Sequence, residues 1–218
     1  MILDFGNGFH LRRATEADHP ALASICLRTG DAGKDATDRE DDPGLLGLIY
    51  TIPYQVLEPD LAFILDGPAG ASGYLLGASD TRAFNAWLAA QWYPHLQGRV
   101  TDPGTDSSRW RGSDWARHLI HHPDFNARQA LADYPSHGHI DLLPEARGKG
   151  IGRRAMAFLE QRLAARGSTG LFLEVMPQNG RALDFYRAIG FEALQNPNLP
   201  KHCSYVAKRL AFAAEVAG

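Results

Sequence analysis

Apolar and polar positions along this chain recur with two different periods, and the places where the period changes mark out its elements. Phe9 to Arg12 alternates and reads as a short strand. Thr15-Glu16-Ala17-Asp18 resembles a capping box, and Leu22, Ile25 and Cys26 follow at helical spacing, so a helix should run from there to a stop near Gly30. Asp31 to Asp42 is polar and carries glycine, which makes it a loop. After Pro43, the residues Leu45, Leu46, Leu48, Ile49 and Ile52 predict a second helix. Leu61 to Leu65 and Ser72 to Ala78 are two β-type runs, and the turn residues between them predict an antiparallel hairpin.

From Thr81 to Tyr134 the pattern becomes fragmentary. Phe84, Trp87, Leu88 and Trp92 share one helical face, Trp115 and Leu119 another, and Phe125 and Leu131 a third, with breaks at Pro94, Pro103-Gly104 and Pro123. All four tryptophans fall here, which suits a packed helical subdomain, a homodimer face or an aromatic pocket. Core packing is the default, because tryptophan buries so much area. His137 to Leu143 then reads as a strand. Gly148 to Arg166 reads as a helix with Ile151, Ala155, Phe158, Leu159 and Leu163 inward. Leu171 to Val175 is a strand, Asn179 to Ala188 a helix closed by Gly190, and Glu192 to Leu194 and Ser204 to Leu210 two last strands. This order predicts a mixed α/β sheet.

Composition narrows the class. At 218 residues, one large or two small domains fit. A net charge of −3 gives no global electrostatic case for nucleic acid or an anionic membrane, and neither is expected as a partner. Cys26 and Cys203 are the only cysteines, which rules out a disulfide framework or a Cys-rich zinc site and fits a reducing cytosol. No apolar run approaches the roughly 20 residues a membrane span needs, and the N-terminus lacks a signal peptide's core. A cytoplasmic protein is expected.

Candidate chemistry centres on Arg147-Gly148-Lys149-Gly150-Ile151-Gly152, a glycine-rich turn between a strand and a helix start, where backbone N–H groups and the helix dipole favour phosphate. The P-loop of nucleotide hydrolases is excluded by spacing and by the missing hydroxyl residue. The dinucleotide fingerprint is imitated by Gly148, Gly150 and Glu174. It fails at its third glycine, which is Arg153 here, and at Pro144 to Arg147, which separate strand from loop. Leu142 to Gly152 instead resembles motif A of the GCN5-related N-acetyltransferase (GNAT) superfamily, [Q/R]-x-x-G-x-[G/A] after a strand. Asn179 to Phe191 resembles its following motif, N-x-x-A-x-x-F-Y-x-x-x-G-F, and Leu11 to Asp18 its usual opening. More narrowly, Tyr134 to Asp141 and the long 81–136 segment resemble the acetyltransferase-like domain at the C-terminus of O-GlcNAcases. The chain is too short for a glycosidase domain besides, so no sugar hydrolysis is expected.

The resemblance implies one GNAT domain over residues 1–218, with a helical insertion at about 81–136. Its sheet would be mostly antiparallel, with about six to seven twisted strands splayed at the cofactor site. It implies acetyl-CoA as donor, with the pyrophosphate on the N–H groups of Gly148, Lys149, Gly150, Ile151 and Gly152 and with Arg147, Lys149 and Arg153 supplying charge. Pantetheine would run along Ile140, Leu142 and Leu143, and Asn179 would bond it. An N–H near Ile140 would polarise the thioester carbonyl. Tyr186 would protonate the departing thiolate.

For the general base the residues leave alternatives: Asp141, ranked first because the narrower resemblance includes it, then His139 and Glu174, with His137 nearby. Strand alternation puts His137, His139 and Asp141 on one face and Ile140 and Leu142 on the other. That His-x-His-x-Asp spacing also suits a metal, but further ligands are lacking and none is expected. The expected reaction is direct acetyl transfer to an amine, on a small molecule or a protein lysine. The alternative is an acetyl-CoA-binding or interaction domain without catalysis.

Overall fold

The computed structural model describes residues 1–125 and 129–211. Strands β1 (Leu3–Gly6) and β2 (Phe9–Arg13) form a hairpin whose turn residues Gly6, Asn7 and Gly8 all have positive φ. Helix α1 (His19–Thr29) follows, and Arg12 fixes its entry with two hydrogen bonds to the Asp18 carboxylate, at 2.8 and 2.7 Å. The helix expected after Pro43 is two: α2 (Leu45–Tyr50) and α3 (Ile52–Leu57). They break at Thr51, whose hydroxyl bonds back to the Gly47 carbonyl two residues before Pro53. Strands β3 (Ala62–Gly67) and β4 (Gly70–Ala78) make the expected hairpin.

The following segment is less helical than expected. Helix α4 (Thr81–Trp87) passes through a π-helical turn, Leu88–Trp92, into α5 (Tyr93–Gln97), and only α6 (Asp114–His121) succeeds them. Residues 98–113 are irregular apart from one 3-10 turn, because Pro103 and short polar side chains favour local turns there. The middle of the helical fragment expected around Phe125 to Leu131 lies outside the described residues. Trp92 donates its indole N–H to the Leu48 carbonyl at 2.8 Å, and Trp87, Trp92 and Trp115 pack against the core, so these rings hold the segment on α2.

Strand β5 (Ser136–Leu142), helix α7 (Ile151–Ala164), strand β6 (Gly170–Val175), helix α8 (Gly180–Ala188), and strands β7 (Glu192–Ala193) and β8 (Ser204–Arg209) complete the order. One sheet runs β1-β2-β3-β4-β5-β6-β8-β7, antiparallel except where β5 meets β6. Eight strands exceed the expected six to seven because β1 was missed. It is four residues long with only half-buried inward positions, so it carries little periodic signal. Alternation on β4 divides the core. Tyr74, Leu76 and Ala78 face the cluster built with α1 to α6, while Leu75 faces the cluster built with α7 and Tyr186.

Candidate active site

The one parallel joint of the sheet is short. β5 and β6 pair at Ser136–Leu171 and His137–Phe172 and no further. Beyond that point β5 stays paired with β4 as far as Leu142, while β6 stays paired with β8. The two strands therefore part beyond His137.

The glycine loop sits past the end of β5. Gly148 and Gly150 adopt φ of 73° and 74°, and a Cβ built on either would meet nothing within 4 Å. Packing does not require glycine at these two positions. The left-handed backbone requires it, and the absence of side chains leaves a bare face for a ligand. Gly150 caps α7, whose first-turn N–H groups have no helical carbonyl to satisfy them and lie at the positive end of its dipole. Gly152 has a different reason to be glycine. A Cβ there would sit 3.2 Å from the Phe185 ring and 3.6 Å from Leu142, so it lets α7 pack against α8.

The cations divide their tasks. Arg147 donates from Nε to the Leu142 carbonyl at 2.6 Å and from Nη2 to the Gly33 carbonyl at 3.0 Å, tying the 31–34 turn to the end of β5. Burial, and then the positive charge of Arg181, press its pKa downward. Arg181, in the first turn of α8, was not singled out from sequence. Its closeness to another arginine suits an anion between them. Lys149 lies 5.9 Å from the centre of the Phe9 ring. Arg153 donates to the Ala188 carbonyl at 3.0 Å and so clamps the end of α8 instead of facing the loop. Asn179 caps α8, its Oδ1 accepting from the Ala182 N–H at 3.1 Å, and its amide nitrogen faces Gly33. Ile140 and Leu142 pack with the α7 cluster, and Leu143 is buried in the opposite one.

On the other face of β5, His139 and Asp141 come together. The Nδ1 of His139 donates to the Tyr50 carbonyl at 3.0 Å, and its Nε2 lies 3.2 Å from Asp141 Oδ2. A carbonyl can only accept, so Nδ1 carries hydrogen, while Nε2 faces both the Asp141 carboxylate and the Tyr74 hydroxyl, and a carboxylate there favours the charged ring. Burial opposes that charge, but the hydrogen bond and charge of Asp141 outweigh it and raise the His139 pKa. The Tyr74 hydroxyl also donates to Asp141. Tyr74 is fully buried and sits directly across from Asp141 in the β4–β5 register. Neither Tyr50 nor Tyr74 was identified from sequence. Only the register, which pairs positions 67 residues apart, reveals Tyr74.

His137 belongs to a separate environment. The Tyr54, Phe84 and Phe172 rings surround it at 5.1–5.8 Å, and burial, then the His139 charge, lower its pKa to about 3. Glu174 lies at an exposed position of β6 beside Cys203. Burial and the Glu174 carboxylate together push that thiol's pKa up to about 12. Tyr186 is 6% exposed, edge-on to Phe185 and Phe191. Burial, and then the Asp141 charge, raise its pKa well above the ordinary phenol value, so it stays protonated at neutral pH.

An open-edged mixed sheet with one short parallel joint, parted beside a bare glycine turn at a helix start, defines the acetyltransferase class of α/β folds. Residues 114–191 match the Acetyltransferase (GNAT) family, and the chain belongs to it. It is similar to the crystal structure of SsHAT, at 35% identity and a TM-score of 0.83 over 94% of this chain and 99% of that one. It is also 28% identical to Protein O-GlcNAcase of Rattus norvegicus over 185 residues, which are 84% of this chain and 20% of the relative. The chain thus spans about a fifth of the length of that curated relative. The fold is shared with yncA of Salmonella typhimurium, solved with its cofactor acetyl-CoA, at 13% identity and a TM-score of 0.53 over 97% of this chain and 100% of that one. No helix among the described residues is long and apolar enough to cross a membrane.

Proposed function

We propose that this chain transfers acetyl directly from acetyl-CoA to an amine, on a small molecule or a protein lysine. The observation that carries the reading is the bare glycine turn at the start of α7 opening onto the gap between β5 and β6. The donor's pyrophosphate fits the first-turn N–H groups of α7, with Arg147, Lys149 and Arg181 supplying positive charge. The amide of Asn179, whose carbonyl is spent on capping, keeps its N–H groups for the donor's arm. In the reaction a C–N bond forms at the acetyl carbonyl as the C–S bond breaks. The attacking ammonium must lose one proton, and the departing thiolate must gain one. Asp141 takes the first, directly or through water, and Tyr186 gives the second. His139 acts as a positioning residue: anchored on the Tyr50 carbonyl through Nδ1, it keeps Asp141 aimed.

A second reading, donor binding without transfer, is favoured by how fully Asp141 is engaged, since Tyr74 and His139 both bond to it. Nothing in the site calls for glycosidase chemistry, whatever the length shared with the O-GlcNAcase. The test is acetyl-CoA binding by calorimetry beside thiol release across a panel of small amines and lysine peptides. Binding with release above the amine-free rate supports transfer. Binding with no release for any amine supports the second reading, and no binding removes both.

A further inference from the structure

We infer that the segment between β4 and β5 carries a divalent transition-metal site, suited first to Zn2+, built from Asp102, His118 and His122. One ligating atom from each of the three lies within 4.8 Å of the other two. His118 lies in the last turn of α6 and His122 is the residue that ends it, and their rings stack at 4.4 Å. Asp102 comes from the irregular stretch before α6.

What distinguishes the group from a chance meeting of surface side chains is how Gly104 holds it. With φ at +78°, this glycine presents both of its backbone groups. Its N–H donates to Asp102 Oδ1 at 2.9 Å, and its carbonyl accepts from His118 Nδ1 at 3.1 Å. The carbonyl fixes the His118 tautomer with hydrogen on Nδ1 and the lone pair on Nε2. Metal-binding histidines are oriented in this way, the distal N–H given to a backbone carbonyl and the other nitrogen given to the ion. Trp110 donates its indole N–H to the same carbonyl at 3.2 Å and lays its ring 4.6 Å from that of His118, walling one side.

His122 Nε2 and Asp102 Oδ2 lie 2.9 Å apart and satisfy one another. Ligands of a tetrahedral ion with bonds of about 2.0–2.1 Å are separated by about 3.3 Å, so the pair needs to open by only a few tenths of an ångström. Two imidazoles and one carboxylate, with a fourth position left to water, match zinc better than magnesium or calcium, which require oxygen shells. Bound there, the ion would staple the irregular 98–113 stretch to α6. An exposed ion pair alone does not account for one glycine orienting two of the three side chains.

The test uses the full chain without a histidine tag, stripped with a chelator and titrated with zinc chloride against a chromophoric zinc chelator. One zinc per chain is expected. His122→Gln and Asp102→Asn should each weaken binding by at least about tenfold. His202→Asn, an exposed histidine outside the cluster, should leave it unchanged. Zinc should also raise the thermal midpoint of the wild type and not that of His122→Gln. Both variants change exposed side chains, so loss of fold does not confuse the result. Absent stoichiometric zinc, equal affinity in both variants, or binding abolished only by His139→Asn would each overturn the site.

Discussion

Replacing His137 by Phe should flatten the fall in stability that accompanies mild acidification. Three rings surround the imidazole, and its pKa is held at about 3, against an ordinary value of about 6.5 that the unfolded chain regains. The neutral ring therefore stabilises the fold fully above pH 6.5. As the pH drops below that value, the unfolded state takes a proton that the folded state refuses, and the stabilisation is lost progressively toward pH 3. Between pH 7 and 5 the full shift is worth about 2 kcal/mol, and about 1 kcal/mol once the ring's remaining solvent contact is allowed for. His139 works with the opposite sign. Its raised pKa contributes stability that is complete below about pH 6.5 and is lost as the pH rises through the folded value. Below about pH 6 its contribution is constant, so the slope there belongs to His137 and to carboxylates common to both proteins.

Urea unfolding by circular dichroism at fixed ionic strength, from pH 5 to 7, reads the difference. The variant keeps an aromatic ring among Tyr54, Phe84 and Phe172, and Thr81 keeps its 2.8 Å bond to the Pro135 carbonyl. Any constant cost of the exchange cancels, because only the slope is compared. The variant should lose about 1–2 kcal/mol less than the wild type between pH 7 and 5. Parallel curves would refute the reasoning and mean that the folded protein accommodates a charged His137.

Asp141→Asn should slow transfer by about 10²–10⁴-fold while acetyl-CoA binding measured by calorimetry stays unchanged. The His139 pKa read by NMR should fall, because only the bond to the Tyr50 carbonyl then opposes burial. A wild-type rate would remove Asp141 as the proton acceptor. Tyr186→Phe should slow thiol release without altering donor affinity, and equal release rates in stopped-flow would leave Tyr186 as core packing only. Gly150→Ala should cost about 1 kcal/mol for its left-handed backbone. It should also weaken donor binding by placing a methyl on the bare face, and unchanged affinity would put the phosphates elsewhere.

The two motifs were legible because each is local. Glycines at a helix start and the Asn179 cap act within a few residues of themselves, so spacing alone exposes them. The β5 alternation correctly put His139 and Asp141 on one face. What partners them was not legible, since Tyr50 and Tyr74 reach them across 89 and 67 residues through a register that sequence does not state. β1 had a readable sign in Asn7-Gly8, the commonest hairpin turn pair, but its four residues were too few to show a period. The packing tasks of Arg153 and Gly152 were not legible, for one reason. Both serve the contact between α7 and α8, and the sequence shows neither helix's orientation.

The short parallel joint has a geometric consequence. With two residue pairs holding β5 to β6, the sheet behaves as two leaves joined at one corner. From Phe172 to the end of β6 at Val175, at roughly 3.3 Å per residue, the two strands flank a wedge about 10 Å deep. Past His137 the edge of β5 that faces β6 has no strand partner there, the kind of edge along which an extended chain can lie. The extent of that edge is set by where two strands stop pairing.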